Sequence, residues 1–442
     1  MATALSAIRV NLSKRMGDYA SGTTTSGGAA GGGTFIDSVL GNRPDAYYED
    51  WWAKITSGTY VDQVRRISTF AQSTGTVTPY ASFGGTIATS VTYELHRINP
   101  DDKDQAIKQV LRQLYPTLHK PYYNDTLVTG NWLRNGNFED WTVSTIPDGW
   151  AKSGSLTCVE QTGTTLKRYG AKALKATAGA ATQYAYQSQL EIPELLDLRG
   201  QEVTYRAWVY TATASNCRLQ IYDVNEAATA TTTNSAYHTG NSRWQLLEVK
   251  RTLPDDLSTV EFRLTVDVNG AIGYFDLARA WGPTKNELYL PASGWKDISL
   301  VDIQYSGRGK TSTSGEDLDP CDDLGNSFSL IPSYDHRIID DGTDKRIRFG
   351  QNYSKGYKVV LRGMTYLTQP ASDSATTEVD EPQVNLVVAS AIHWLYSAMP
   401  HVLPADEIGR AKEQGDFWRG VVKELKGEHG MRIAARIGTR AW

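Results

Sequence analysis

The chain has 442 residues, 45 basic against 49 acidic side chains and a net charge of -4, long enough for two or three domains that each bury a core. That near balance excludes a bulk nucleic-acid binder and an acidic tail protein. No stretch reaches eighteen uncharged apolar residues, so no membrane span is expected, and MATALSAIRVNLSKRMGDY lacks the apolar centre of a signal peptide.

A helix is expected first, to about Tyr19, because Leu5, Ile8, Leu12 and Met16 fall on one stripe. Ser21 to Thr34 has almost no side chain to bury and reads as a flexible tether, or a loop ordered only by a neighbour. Strands are predicted over Trp51–Ile55, Gln63–Phe70 and Thr86–Leu95, separated by Ser57-Gly58, Thr74-Gly75 and Gly84-Gly85. Asn99-Pro100 then supplies a cap and first-turn proline for a helix whose stripe is Ala106, Ile107, Val110, Leu111 and Leu114, ending before Pro116.

From LRNGNFEDW, which begins at Leu133, to GYFDLARAWGP, which ends at Pro283, the beat is period two throughout. Val260, Phe262, Leu264, Val266 and Val268 alternate with Glu261, Arg263, Thr265 and Asp267; Val203, Tyr205, Ala207 and Val209 alternate with Thr204, Arg206, Trp208 and Tyr210; Cys217, Leu219 and Ile221 continue it. Short alternating strands broken by turns such as His238-Thr239-Gly240-Asn241 predict an antiparallel sandwich. After Pro283 strands are expected at Ile298, Val301 and Ile303, at Arg346–Phe349 and at Tyr357–Leu361, and helices at Pro382–Ala398 and from Pro404 to about Lys426. The fold class is therefore α+β, with a discontinuous outer domain (1–128 and 285–442) interrupted by an all-β jelly-roll sandwich (129–284).

Little supports catalysis. Ser306 to Thr311 approaches a phosphate loop, but Gln304 stands where its first glycine is needed, so a basic surface loop is the reading. The seven histidines are scattered. The acidic run Glu316, Asp317, Asp319, Asp322 and Asp323 departs from the calcium-loop pattern, with Cys321 among its ligand positions, and reads as a solvated loop. Cys158, Cys217 and Cys321 read as free thiols, a Cys158–Cys217 pair being the alternative.

Asn135-Gly136-Asn137-Phe138-Glu139, Pro147-Asp148-Gly149-Trp150, Gly170-Ala171-Lys172-Ala173-Leu174, Trp208, Trp244 and Tyr274-Phe275-Asp276 together resemble the non-catalytic carbohydrate-binding modules of jelly-roll type. That resemblance implies a structural calcium between Glu139 and Asp276. For sugar binding the candidates are Arg206, Trp208 and Tyr210 on one strand face, with Tyr184, Tyr186 and Gln187; flat rings stack on pyranoses, and the same rings also bury a sandwich or a protein contact.

More loosely, the outer domain resembles virion proteins of tailed bacteriophages, head-to-tail adaptors under the portal ring above all. Its traits are the N-terminal helix, the Gly/Ser/Thr-rich stretch, Asp45-Ala46-Tyr47-Tyr48-Glu49-Asp50-Trp51-Trp52, the Val64-Arg65-Arg66-Ile67 strand and C-terminal helices with a basic tail. The resemblance implies a non-enzymatic neck ring, a dodecamer of this chain, assembled in the host cytoplasm, with portal, a tail or nozzle protein and the genomic DNA in its lumen as partners, and no membrane. Met431, Arg432, Ile433, Arg436, Ile437, Arg440 and Trp442 are the portal-docking candidates, apolar anchors interleaved with arginines unopposed by carboxylates. A tail or receptor-binding component whose module captures host glycan is the alternative, and a glycan-degrading protein is a third.

Overall fold

The computed structural model describes residues 2–291, 294–304, 328–331, 336–340, 342, 344–353 and 356–438, with backbone alone at 304, 328–331, 405–406 and 429–438. The loop at 306–311, the acidic run at 316–323, Cys321, Arg440 and Trp442 lie outside the described residues. Among the described residues no helix is long and apolar enough to cross a membrane. Two compact units emerge: Met1–Lys120 with Thr365–Trp442, and Pro121–Met364.

In the first unit the predicted stripe folds as the helix Leu5–Met16, with Leu5, Ile8 and Leu12 buried and a left-handed Gly17 stopping it. The helix Pro100–Gln113 starts where Asn99 caps the Asp101 amide and proline needs no donor. Its Ala106, Ile107, Val110 and Leu111 join Leu5, Ile8, Leu12 and the buried side of the Glu381–Ala398 helix, including Val384, Val387, Val388 and Ile392, in one core. The Ala411–Gly438 helix adds Trp418, Val422 and Leu425 to that core and runs past the predicted end near Lys426.

The unit's sheet has the strand order Tyr19–Thr23, Thr92–His96, Trp52–Ile55, Val64–Ala71, Thr76–Pro79, Phe35–Ile36. A bridge from Ser26 to Ile36 ties the last strand back to the chain leaving the first, so the sheet curls upon itself around Phe35, Phe83 and Tyr93. This corrects the reading of Ser21–Thr34 as a tether. Its start is a paired strand, and Thr24, Thr25 and Gly28 donate to Val91, Ile36 and Ile87 carbonyls. A Cβ on Gly28 would stand 1.9 Å from the Thr34 carbonyl oxygen, so the glycines serve close backbone approach rather than flexibility. The Thr86–Leu95 strand is shorter than predicted and begins at Thr92.

The second unit holds the sandwich. One sheet has the order Leu156–Gln161, Ala173–Ala178, Ile272–Trp281, Glu202–Tyr210, Gln245–Thr252; the other has Ala230–Asn234, Cys217–Asn225, Leu257–Val266, Gln183–Ser188, Ala151–Lys152. The period-two residues do what their spacing dictates: Val203, Tyr205, Ala207, Val209, Leu219, Ile221, Val260, Phe262 and Leu264 are all fully buried between the sheets. Cys158 and Cys217 are free and buried.

The domain limits need correction. The strands after Pro283 do not return to the outer domain: Asp297–Gln304 and Lys358–Thr365 share a four-stranded sheet with Lys120–Val128, and Leu288, Trp295, Val301, Ile347, Val359 and Leu361 form their own core. Periodicity shows that a strand has a buried side but not which sheet receives it. The chain thus enters and leaves the second unit through neighbouring strands, Lys120–Val128 and Lys358–Thr365. Replacing residues 121–364 with a short Gly/Ser linker should leave a soluble, cooperatively melting first unit. Recovery of that protein only as aggregate would show that the first unit's core is incomplete.

Candidate functional site

The sugar-binding candidates divide between the two outer faces of the sandwich. Arg206, Trp208 and Tyr210 point outward from the first sheet, half-buried. Tyr184 and Tyr186 point outward from the second, on the strand Gln183–Ser188, and so the six do not form one site. Gln187 is excluded as a ligand. It is fully buried, its Oε1 accepting from the Arg134 amide at 3.0 Å and its Nε2 donating to the Arg134 carbonyl at 2.7 Å. Alternation is the reason: a residue next to outward Tyr186 must face inward.

On the first sheet the chain covers its own aromatics. The Arg168 guanidinium lies 4.3 Å from the Trp208 ring, and the amides of Arg168 and Tyr169 donate to Asp276, which pairs across from Trp208. Tyr210 leans tilted against Trp244 at 5.8 Å and edge-on against Tyr274 at 5.7 Å, and Arg206 pairs with Glu248. Rings packed against one another and under a loop serve the fold first.

On the second sheet the outward tyrosines are half-buried as well, while Ser188, Gln220 and Thr265 on the same face are buried. Register places three outward rows side by side: Tyr184, Thr265 and Arg218; Tyr186, Arg263 and Gln220; Ser188, Glu261 and Tyr222. Arg263 sits at the centre and reaches diagonally both ways, its guanidinium 4.1 Å from the Tyr184 ring centroid and 3.9 Å from that of Tyr222. Its Nε donates to Glu261 at 2.7 Å. Tyr186 meets Tyr184 edge-on at 5.6 Å. Beside them Arg218 stacks 4.8 Å from the Tyr237 ring and pairs with Asp267, while Gln220 is tied to Asn234 at 2.8 Å and Thr265 at 3.0 Å. The result is a rigid Tyr–Arg–Tyr platform bordered by amide and carboxylate groups. The sequence marked Tyr184 and Tyr186 but missed Tyr222, Arg263 and Glu261. Their signal was the same alternation, since RLQIYDV turns Arg218, Gln220 and Tyr222 to one side.

Glu139 and Asp276 do flank one segment. Asp276 is fully buried and accepts from the amides of Arg168 at 2.8 Å, Tyr169 at 3.1 Å and Leu277 at 2.8 Å. Glu139 Oε1 accepts from Ala171 at 2.8 Å and Lys172 at 3.2 Å. Burial pushes the Asp276 carboxyl up to about 8 against the pull of those amides, and Glu139 adds to the rise. Burial raises Glu139 as well, its amide partners opposing. Among the described residues no group of three or more His, Cys, Asp or Glu is arranged to hold a metal. Two hard-oxygen carboxylates that each resist ionisation nevertheless suit a divalent cation in donor chemistry, since it would offset the like charge.

A second polar centre lies in the first unit. Arg9, with no exposed surface, contacts Asp104 at 2.9 Å, Asp373 at 2.6 Å and Glu94 at 3.4 Å. His96 Nε2 is 3.1 Å from Glu94, and Lys103 Nζ donates to Asp18 at 2.6 Å and Ser13 at 2.8 Å. Burial drops the His96 pKa to about 4 even though Glu94 pulls it upward, so the ring is neutral at pH 7. Substrate cannot reach Arg9, His96 or Lys103, which are all fully buried. The cluster ties the N-terminal helix to the sheet and to the C-terminal segment.

Of the portal-docking candidates, Met431, Arg432, Ile433, Arg436 and Ile437 lie on the backbone of the Ala411–Gly438 helix, continuous with the part that packs in the core.

No protein-family model and no curated protein matches the chain. Solved structures similar to part of it include the C-terminal family 22 carbohydrate-binding module of Clostridium thermocellum Xyn10B, at 15% identity over 34% of this chain and 95% of that one, with a TM-score of 0.27. A family 16 carbohydrate-binding module is similar at 21% identity over 34% of this chain and 99% of its own, with a TM-score of 0.26. The enzymatically active domain of tailspike protein 4 from bacteriophage CBA120 is similar at 10% identity over 35% of this chain and 21% of that one, with a TM-score of 0.25.

Proposed function

We propose that this is a non-enzymatic glycan-binding protein whose second unit takes a saccharide on the Tyr184–Arg263–Tyr222 face. One observation carries the reading: the Arg263 guanidinium is held between two outward tyrosines, a preorganised group of aromatic and cationic side chains of the kind that sugars contact. Tyr184→Ala and Tyr222→Ala should each weaken retention on polysaccharide affinity gels about tenfold, with melting temperature nearly unchanged, because half-exposed truncations usually cost little stability. Retention of both variants at the parental level would remove the face from the binding reading. Absence of reducing-sugar release from bound polysaccharide would accord with the non-enzymatic part, and release would refute it.

The proposal extends to calcium at Glu139 and Asp276, supported by the two raised carboxyls there. It also extends to a setting. The first unit is built from both chain ends around one helical core and is connected to the glycan-binding unit through two neighbouring strands. That organisation suits an assembly domain displaying a binding module, and on it rests the adaptor reading: a ring of copies in a tailed-phage virion, between portal and tail, with DNA in its lumen. Labelled antibody on whole virions should then mark the neck. Label at the tail tip would favour the receptor-binding alternative, and a monomeric mass in solution with purified portal would refute the ring.

A further inference from the structure

The geometry points to an acidic glycan as the ligand of the Tyr184–Arg263–Tyr222 face, one whose sugars carry carboxylates, with Arg263 as the residue that reads the carboxylate. This rests on the glycan-binding reading and names the ligand class within it.

Arginine has five N–H donors in a fixed fork. In Arg263 the Nε donor is committed to Glu261 at 2.7 Å, and no partner for either terminal nitrogen is recorded among the described residues. Its side chain is 12% exposed, and each terminal nitrogen keeps some surface open to solvent. Its neighbour Arg218 differs: its Nη2 donates to Asp267 at 3.3 Å and its Nε lies 2.7 Å from the same carboxylate as an ion pair. The face therefore presents one closed fork and one open fork.

Arg263 is also held still. Rings on two sides, at 4.1 Å and 3.9 Å, fix the guanidinium, and Glu261 fixes its rotation. Two parallel N–H bonds from such a fork match the two oxygens of a carboxylate, and little rotamer freedom is left to lose on binding. Isolated sugar hydroxyls do not need that geometry. The face is not biased against an anion either, because Arg263 and Arg218 balance Glu261 and Asp267. Binding through one charge-assisted contact should weaken as salt rises, since exposed charges are screened beyond about 8 Å at physiological ionic strength.

The test uses the full-length protein and soluble polygalacturonate, alginate and hyaluronate, each paired with its carboxyl-reduced counterpart, with xylan and galactan as neutral probes. At least one acidic polymer should bind at least tenfold tighter than its reduced form. Arg263→Lys should erase that difference with little change in melting temperature, because lysine keeps the charge but loses the fork and the stack. Glu261→Gln keeps an acceptor for Nε, removes the nearest negative charge and should strengthen acidic-polymer binding a few-fold; it also serves if the lysine variant fails to fold. Equal binding to a polymer and its reduced form, or binding to neutral probes alone, would overturn the carboxylate assignment and leave the glycan face standing. Binding to none of the probes would overturn both.

Discussion

Arg9→Ala should destabilise the first unit by about 3–5 kcal/mol, the cost of removing one partner from a buried ionic cluster. The side chain has no exposed surface and stands against Asp104, Asp373 and Glu94 at once. Its loss leaves three carboxylates, two of them at most 8% exposed, without the cation that offsets their burial, although Lys54 still reaches Asp373 at 3.1 Å. Arg9→Met fills most of the vacated volume and should recover only the cavity part of the loss.

The pH dependence separates charge from packing. In the parent, burial opposes ionisation of Asp373, but the Arg9 hydrogen bond wins and holds its carboxyl below the ordinary value; Glu94 is likewise lowered, with His96 and Arg9 overcoming burial. Depressed carboxyls contribute stability that is present above their unfolded pKa and lost as pH falls through the folded one. In Arg9→Ala burial is left without its main opposition and the shifts reverse, so the variant should gain stability between pH 7 and pH 5; the parent should gain less, because of Arg9's partners only Asp104, which burial pushes up to about 6, takes up a proton in that window, and the Asp373 and Glu94 contributions are lost only at lower pH. Urea unfolding of the excised first unit at pH 7 and pH 5 measures this. Parallel slopes for parent and variant would mean that the cluster is held by packing and not by Arg9.

Much of the fold was legible because two periodicities are hard to counterfeit. The 3.6-residue stripe of Leu5, Ile8 and Leu12 and the period-two run through Val260, Phe262 and Leu264 both put their apolar members in the core. The failures share a cause. The glycine-rich segment reads as flexible since glycine costs chain entropy, yet Gly28 is where two backbones touch, and no local pattern reports a partner in space. The strands after Pro283 alternate correctly, but nothing in alternation says they would pair beside Lys120–Val128 and not rejoin the outer domain.

The site was half legible for the same reason. Tyr184 and Tyr186 stood out as aromatics on an alternating strand, while Arg263 looked like any solvated residue between Phe262 and Leu264. Its meaning comes from register, which sets Tyr186, Arg263 and Gln220 in one row and brings Tyr184 and Tyr222 to diagonal positions. Trp208 fails in the other direction. Its outward position was right, but a segment forty residues upstream places Arg168 over its ring.

Asp276 should make the stability of the second unit fall as pH rises, by on the order of 5 kcal/mol in the absence of a cation, because each unit of pKa separation is worth about 1.36 kcal/mol. Its carboxyl lies near 4 in an unfolded chain and at about 8 when folded, burial being the cause and Glu139 adding to it. Between those values the folded state keeps a proton that the unfolded state has released, so the contribution is complete at the acid end and is lost through pH 8. Asp276→Asn carries no titrating group and should flatten the slope, keeping an oxygen to accept the Arg168 and Tyr169 amides while its NH2 loses the contact with Leu277. Under the proposed calcium reading the cation would act on the same charge in the opposite sense: held by Glu139 and Asp276 it would stabilise their ionised forms, so millimolar calcium should raise the melting temperature most at alkaline pH and hardly at pH 5, where protons compete for the same oxygens. Thermal melts of the parent, Asp276→Asn and Glu139→Gln across pH 5 to 9, with chelator and with calcium, resolve the two effects. A parental slope that chelator and calcium leave unchanged would confine the pair to holding the Arg168–Lys172 segment by its amides; a flat parental profile under chelator would show that Asp276 is ionised in the folded state without any metal.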